Sequence, residues 1–303
     1  MDYKVFLGAI VRIAQRMGYH RDASHFPHIS PLQGEMRPLV WSIVSDMDTL
    51  FSISVGILRM LREFQSDTAA PRNLLDEDFD EYTIELPPSH PSSFETHVSG
   101  WLLNTRWFPC WGIISDFSTS IRRPRYAEVM HLDALLHATH QSLPKNLHEK
   151  PMGKSIMDSP EAIIRCLQVV LLLERARCTL HYRYLAPSRS DERYAYSRNT
   201  CIAAALHILE YHHLVEQEGQ PGGRLSSKRW KVDTPILRDY FFLAATLLCL
   251  ELDVDISSNI LKKLPLPENM KGRMIQGLQK SYSIWKRSGT CQTERKRHSR
   301  RWV

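Results

Sequence analysis

The chain has 303 residues, 43% of them apolar, which is enough to bury roughly three quarters of its unfolded surface in one or two domains. Charged residues at positions 2 and 4 interrupt the start, which argues against a secretory signal peptide. The most apolar run, 240–250, is about half as long as a membrane span requires. Composition therefore disfavours contact with a membrane and predicts a soluble protein.

The net charge of +6 is concentrated at one end of the chain. Residues 286–303 hold seven of the 39 Lys and Arg residues but only one of the 33 Asp and Glu residues. The remaining 1–285 carry 32 basic and 32 acidic residues and are formally neutral. Because DNA binding draws its non-specific strength from a basic face, this pattern disfavours DNA binding by the body of the protein.

Helical periodicity dominates from the first residues onward. One apolar stripe over 5–17 predicts a first helix that Gly18 ends. A loop rich in His, Pro and Ser follows at 24–34. A second helix is predicted to start near Glu35, with Pro38 tolerated in its first turn.

The segment 65–96 has a different composition. Between 66 and 85 it has seven acidic residues against a single Arg, and four prolines follow or interrupt this stretch. Such a composition predicts a long, acidic, Pro-containing loop that is extended and solvated.

Helical patterning resumes after this loop and continues to 287. The predicted helices cover 94–119 (broken at Pro109), 124–142, 160–185, 190–217 and 235–256, with an amphipathic stretch at 268–287. Ser159-Pro160 and Thr234-Pro235 each place a capping hydroxyl before a first-turn proline. No stretch alternates like a strand between hairpin turns, so the sequence predicts an all-α, irregular multi-helix fold.

Several motifs resemble catalytic or metal-binding motifs, but each lacks a residue that the motif requires. His20-Arg21-Asp22 matches the protein-kinase catalytic loop, yet the magnesium-binding Asn expected five residues after the Asp is Pro27. HILEYHHLVE at 207–216 could present His207, Glu210 and His213 on one helix face, but neither HExxH nor HxxEH occurs. A polar helix face is the preferred interpretation. The acids at 76–81 lack the glycine and the final Glu of a calcium loop.

The positions of the cysteines bear on whether the chain could hold a metal ion. The six cysteines have no paired spacing typical of zinc sites and are interpreted as reduced, mostly buried residues; they are Cys110, Cys166, Cys178, Cys201, Cys249 and Cys291. The sequence therefore indicates no catalytic, cofactor-binding or metal-binding residue and predicts that the chain is not an enzyme.

The basic run at 295–301 has two interpretations. It could be a nuclear import signal or a contact to phosphates, but the preferred interpretation is the disordered end of a tail at 286–303.

Several stretches together resemble one family. RIAQRMGYHRD (12–22), GEMRPLVW (34–41), DTAAPRNLLDEDFDE (67–81) and ELPPSHP (85–91) are similar to the fungal-specific transcription factor domain, the middle homology region of Zn2Cys6 zinc binuclear cluster regulators. The resemblance covers most of 1–285. It implies an all-α regulatory domain, shortened at its N-terminus, that modulates transcription in the nucleus.

The resemblance also implies what the chain lacks. Zinc and direct DNA contact belong to an N-terminal cluster of six cysteines, which this sequence does not contain. Implied partners are DNA through that module alone, the transcription machinery, and related regulators in a homodimer or heterodimer. Helices that normally cover the first helix are missing as well, so we expect it to expose part of an apolar stripe.

The resemblance gives the opening motifs a structural role. Asp22 follows the helix break and can pair with a cation or accept backbone amides, while Glu35 is well placed against a helix dipole. Trp41 and Asp48 are seven residues apart, on one face of the second helix. We interpret these as packing and hydrogen-bonding residues, with a regulatory ligand site as the alternative.

Two other functions remain open at this stage. The chain could be a stand-alone interaction protein, such as a dimerising inhibitor of related regulators. It could also be a small-molecule-sensing module, which would require a sizeable apolar pocket with a few convergent polar groups.

Overall fold

The computed structural model describes residues 3–91, 94, 96–122, 124–150, 158–258 and 266–299. Within these ranges all regular structure is helical and no strand occurs, which confirms the all-α prediction. The helices are α1 (Tyr3–Arg16), α2 (Pro31–Val55), α3 (Ser99–Thr119), α4 (Tyr126–Gln141), α5 (Pro160–His181), α6 (Ala195–Glu218), α7 (Arg229–Val232), α8 (Pro235–Ser258) and α9 (Glu268–Ser299). None of these described helices is long and apolar enough to cross a membrane.

The chain divides into two compact units, Met1–Ser142 and Leu143–Val303. The assignment of 1–285 to one regulatory domain stays a prediction. Helix α9 runs through Ser299, so residues 286–299 are helical where a disordered tail is predicted. Residues 300–303 lie outside the described residues.

The core of the first unit joins α1 to α2. Leu7 and Val11 of α1 pack in one buried cluster with Trp41 and Val44 of α2 and with Leu61. Their spacing places the α1 residues on one helix face, as the periodicity predicts. Further along, α3 packs on both α2 and α4.

Two helices of this unit contain an interior proline, and in both the helix boundaries differ from the prediction. Helix α2 starts four residues earlier than predicted, because Ser30 Oγ accepts the Gln33 amide at 3.2 Å and caps the helix ahead of Pro31. Pro38 therefore lies inside the helix rather than in its first turn. Helix α3 likewise continues through Pro109, where a break is predicted. Tertiary packing thus overrides the local cost of proline in both helices.

The second unit is built around α6, which packs on α5, α8 and α9. Small residues line its buried face, and Cys201 and Ala205 are completely inaccessible. Both predicted start signals are confirmed: Ser159 Oγ accepts an amide of α5 at 3.2 Å, and Thr234 Oγ1 accepts an amide of α8 at 3.3 Å. Helix α5 ends at His181, earlier than predicted, and short 3₁₀ turns connect it to α6.

Candidate functional site

A polar clamp holds the loop that follows α1 against residues 66–69. Thr68 Oγ1 donates to the Tyr19 carbonyl at 2.8 Å, and the Asp22 amide donates to Asp67 Oδ1 at 2.9 Å. These partners are more than 40 residues apart in the chain. The clamp therefore fixes the path of the chain after α1 through side chains that satisfy backbone groups.

Asp22, the acid of the kinase-like motif, is a capping residue. Its Oδ1 accepts the Ser24 amide at 2.9 Å, and its Oδ2 accepts the Ala69 amide at 3.3 Å. The hydrogen bonds from Ser24, more than the others, lower the pKa of Asp22 below its usual value. His25 meets Asp67 Oδ2 at 2.8 Å. The motif thus maintains local structure, in agreement with its interpretation as a hydrogen-bonding element.

Two charged residues of α2 anchor this helix to its surroundings. Arg37 donates to carbonyls at the C-terminal end of α1, including that of Gly18, where a cation is favoured by the helix dipole. Its guanidinium carbon also lies 4.0 Å from the ring centroid of Phe26. Glu35 Oε1 accepts the Arg72 amide at 2.6 Å. The GEMR stretch therefore joins α1, α2 and the 66–73 segment.

Asp48 is fully buried on the same side of α2 as Trp41. Its Oδ2 accepts the amides of Met60 and Leu61 at 2.9 and 2.8 Å, which holds the segment after α2 in place. Its Oδ1 has no hydrogen-bond partner among the residues that the structure describes. Burial raises the pKa of this carboxyl group.

Asn73 organises the region of the predicted acidic loop. Its Nδ2 donates to the carbonyls of Pro91 and Phe94 at 3.0 and 2.9 Å, and its Oδ1 accepts the Thr96 hydroxyl at 2.7 Å. Residues 66–91 contain neither helix nor strand. Side-chain hydrogen bonds, including those of Asn73, therefore satisfy backbone groups that a helix or sheet would satisfy with its own ladder.

Helix α1 has an exposed apolar face in addition to the buried face that packs on α2. This confirms the expectation that part of its apolar stripe is exposed. Between 43% and 57% of each of its side chains is accessible. Their spacing of four, three and four residues is that of a coiled-coil seam. We call this the α1 apolar face, and its residues are Phe6, Ile10, Ile13 and Met17.

In the second unit, helices α6 and α8 bury a carboxylate between two guanidinium groups. Glu251 Oε2 accepts from Arg189 Nη2 at 2.7 Å, and its Oε1 accepts from Arg198 Nε at 2.7 Å. Only 1% of the Glu251 side chain is exposed. Such an arrangement is costly to desolvate and strongly destabilised when one partner is removed.

A cleft of about 240 Å³ opens on α5 and α6, beside the HILEYHHLVE stretch. The side of the cleft formed by α5 is apolar, since Ile163, Leu167 and Val170 lie on one helix face. Leu214 of α6 also lines it. Cys166 and six polar or charged residues complete the lining, and His207 is one of the six.

His207 lies between two carboxylates. Its Nε2 is 3.0 Å from Glu149 Oε1, and its Nδ1 is 3.2 Å from Glu174 Oε1. The hydrogen bond to Glu174, together with the two negative charges, raises the pKa of His207. Tyr211 OH donates to the same Glu149 oxygen at 2.7 Å. The imidazole therefore links the 143–150 segment to both helices.

The other two histidines of the stretch turn away from this cleft. His212 Nδ1 lies 3.1 Å from Ser281 Oγ, and the ring stacks on Phe241 with centroids 4.2 Å apart. Burial lowers the pKa of His212 to about 4. His213 also contacts Ser281, at 3.3 Å. The predicted His207, Glu210 and His213 face is thus not brought together, and only the first two of these residues line the cleft.

Within the described part of the chain, no group of three or more His, Cys, Asp or Glu side chains could hold a metal ion. Sequence reasoning missed Glu149 and Glu174 as partners of His207. Glu149 precedes His207 by 58 residues, and no periodicity links positions so far apart. The only available signal was the presence of a histidine on an otherwise buried helix.

The structure thus defines an all-α protein with internal polar anchors, one exposed apolar helix face and one small cleft. Over most of its length it is similar to proteins named as fungal transcription factors. The Zn(2)-C6 fungal-type transcription factor pigI of Monascus ruber is 48% identical over 283 residues, which are 93% of this chain and 35% of that protein. The Zn(2)-C6 fungal-type transcription factor mpsB of Macrophomina phaseolina is 38% identical over 297 residues, 97% and 40% of the two chains.

A further relative extends the same pattern. The pyrrolocin cluster transcription factor fsdR of a fungal species (strain NRRL 50135) is 39% identical over 245 residues, 81% of this chain and 32% of that protein. The chain therefore spans between a third and two fifths of the length of these curated relatives. No protein-family model and no solved structure matches the chain.

Proposed function

We propose that the chain belongs to the Zn(2)-C6 fungal regulators and is the regulatory segment, the middle homology region, of a transcription factor that acts in the nucleus. The observation that carries the proposal is that 93% and 97% of the chain align with parts of two longer proteins of that name. The clamp formed by the GYHRD and SDTA stretches supports it, because the motifs of the family resemblance meet in one hydrogen-bonded structure.

In this proposal the chain acts through contacts with other proteins, not through catalysis or the recognition of DNA bases. It is not an enzyme and needs no cofactor, and DNA is bound only through a zinc-cluster module that this sequence does not contain. The charge balance of 1–285 supports this division, because a neutral body lacks the basic face on which DNA binding depends. The partners are a second copy, a related regulator or the transcription machinery.

A reporter assay tests the regulatory role. The chain is fused to a heterologous DNA-binding domain in a fungal host, and expression of a reporter carrying that domain's site is measured. We expect a change in expression relative to the DNA-binding domain alone. The double variant Ile10→Glu/Ile13→Glu should reduce the change, while Gln15→Glu, on another face of α1, should leave it intact. Equal expression with and without the chain contradicts the proposal.

Selection from a random DNA duplex library tests whether the chain itself recognises a DNA sequence. The purified chain should enrich no sequence, because this sequence does not contain the six-cysteine module that places a helix in the major groove. A reproducible enriched motif at physiological salt would show that the chain reads DNA directly.

A second candidate function is a stand-alone interaction protein that dimerises with related regulators, which the α1 apolar face favours. Light scattering should show self-association of the wild-type chain that Ile10→Glu/Ile13→Glu removes. A monodisperse wild-type monomer argues against a role for this face in dimerisation. Co-purification with a full-length regulator distinguishes an inhibitor from a segment that only self-associates.

A further inference from the structure

We propose that the cleft on α5 and α6 binds a small organic amine, with an apolar body of about ten non-hydrogen atoms and a single ammonium group. This binding site is independent of the proposed function, because it is defined by the lining of the second unit alone. Its volume is about 240 Å³. A cavity of about 150 Å³ accommodates benzene, so this cleft accepts a body somewhat larger than one aromatic ring.

The apolar part of the ligand has a defined place. Ile163, Leu167 and Val170 are each at least 95% buried, and their spacing of four and three residues gives one continuous strip on α5. Leu214 of α6 lines the same cleft. A flat apolar body in contact with this strip would be removed from water on at least one side, which favours binding.

The charged residues at the rim are predominantly acidic. Three carboxylates line the cleft, those of Glu149, Asp158 and Glu210, against the two cations Lys150 and His207. Both cations are already engaged: Lys150 Nζ lies 3.6 Å from Asp158 Oδ2, and each ring nitrogen of His207 meets a carboxylate oxygen. Asp158 is thereby engaged as well, and Glu210 Oε1 lies 3.3 Å from Arg273 Nη2. Among the described residues that line the cleft, Glu149 therefore has the acceptor best placed for a cation, and neither cation is free to bind an anion.

Glu149 supplies the most suitable acceptor. Its Oε1 receives both the imidazole of His207 and the hydroxyl of Tyr211, at 3.0 and 2.7 Å. Its Oε2 accepts no hydrogen bond from any residue that the structure describes. The side chain is held by two donors and is half exposed, so its second oxygen can still accept a hydrogen bond from a ligand in the cleft.

Charge selects the amine over related ligands. A hydrogen bond between an ammonium group and a carboxylate is roughly twice as strong as one between neutral groups, which favours an amine over an alcohol of the same shape. A carboxylate ligand would face the like charge of Glu149, and it could reach His207 only by displacing Glu149. Such displacement would leave buried Glu174 and His207 without part of their hydrogen-bond network.

The test uses three probes with one phenylpropyl body: 3-phenylpropylamine, 3-phenylpropan-1-ol and 3-phenylpropionate. Binding to the full wild-type chain is measured by ligand-observed NMR and by the shift in Tm. We expect saturable binding of the amine, about tenfold weaker binding of the alcohol, and no binding of the carboxylate. Equal affinity for alcohol and amine, preference for the carboxylate, or no saturable binding of the amine overturns the proposal.

Variants locate the site. Leu214→Trp fills the cleft and should abolish amine binding, while Glu149→Gln should weaken it about tenfold without changing the affinity for the alcohol. Because Glu149 also bonds His207 and Tyr211, the exposed Glu210→Gln is the second charge variant, and it should weaken the amine less. Glu192→Gln, an exposed residue of the same unit outside the cleft, is the matched control and should change nothing. Amine binding that survives Leu214→Trp shows that the probe binds elsewhere and overturns the proposal.

Discussion

In the first unit buried Asp48 and Asn73 bond mainly to backbone groups, while buried Arg59 pairs with acidic side chains. In the second unit the buried polar side chains bond mainly to one another. Asp48 and Asn73 accept amides or donate to carbonyls of segments that have no regular structure. Glu251 and Glu174 instead meet arginine and histidine side chains. The reason is the proportion of loop: helices of the second unit satisfy their own backbone, whereas the long irregular segment of the first unit needs side-chain partners.

This comparison teaches that removal of a backbone anchor and removal of an ion-paired residue destabilise the protein in different ways. Loss of a backbone anchor releases a loop but leaves the helices with their own hydrogen bonds. Loss of one member of a buried ion pair leaves charge in the interior, which affects the whole helix packing. The following predictions measure that difference, in order of decreasing effect.

The largest effect is expected from Glu251→Leu. The substitution keeps much of the side-chain volume but leaves Arg189 and Arg198 without their shared carboxylate, and the free energy of unfolding should fall by about 3–5 kcal/mol. Urea unfolding monitored by circular dichroism measures it, with Glu192→Gln as the control. A loss below about 1 kcal/mol would mean that the triad behaves like a surface ion pair.

A smaller effect is expected from Asn73→Ala in the first unit. It removes donors and an acceptor that hold 91–96, and about 2 kcal/mol of unfolding free energy should be lost. Limited proteolysis should show faster cleavage within 76–86, because the anchor of that loop is gone. Asn199→Ala, at an exposed position of α6, is the matched control and should be neutral or slightly stabilising. Unchanged cleavage rates would show that other contacts hold the loop.

Two buried groups, one in each unit, should also respond to pH with opposite signs. Burial raises the pKa of Asp46 in the first unit to about 7, whereas it lowers that of His212 in the second unit to about 4. Native Asp46 keeps its proton above pH 3.8, where the unfolded chain loses it, so its contribution is full below pH 3.8 and is lost as pH rises to about 7. Native His212 stays neutral below pH 6.5, where the unfolded chain gains a proton. Its contribution is therefore full above pH 6.5 and is lost as pH falls to about 4.

Substitutions separate these two contributions. Asp46→Asn keeps an acceptor for Asn104 and should remove the loss of stability toward pH 7, while His212→Gln should remove the loss toward pH 4. Each slope should change by at most about 1.4 kcal/mol per pH unit. Urea unfolding across this range, for the wild type and both variants, measures the slopes. Parallel curves for a variant and the wild type would show that the residue in question does not titrate in this range.

The smallest effect is expected on the α1 apolar face. Ile13 is 57% exposed, so Ile13→Ala should change the unfolding free energy by less than about 0.5 kcal/mol. Val11 is two residues away but is 2% exposed, and Val11→Ala should cost about 2 kcal/mol. Equal losses for the two variants would show that the outer face is covered in solution, for example by a second copy.

The sequence by itself determined the elements whose signals are local. The 3.6-residue periodicity predicted most helices, and the Ser-Pro and Thr-Pro pairs located the starts of α5 and α8, because a cap involves only the first turn of its own helix. The stripe of α1 was also predictable, since it depends on residues at most four apart. Local signals failed at Pro38 and Pro109, where packing with neighbouring helices outweighs the cost of an interior proline.

Only the tertiary structure decided which polar residues meet. Asp67 reaches Asp22 across 45 residues, Glu251 reaches Arg198 across 53, and Glu149 reaches His207 across 58. Periodicity and capping act over one or two turns and contain no information about such pairs. The cleft beside His207, the loop anchors of the first unit and the buried ion pairs of both units follow from such long-range contacts. The physical reason is that desolvation makes each buried polar group require a partner, while only the packed fold determines which group is close enough to serve.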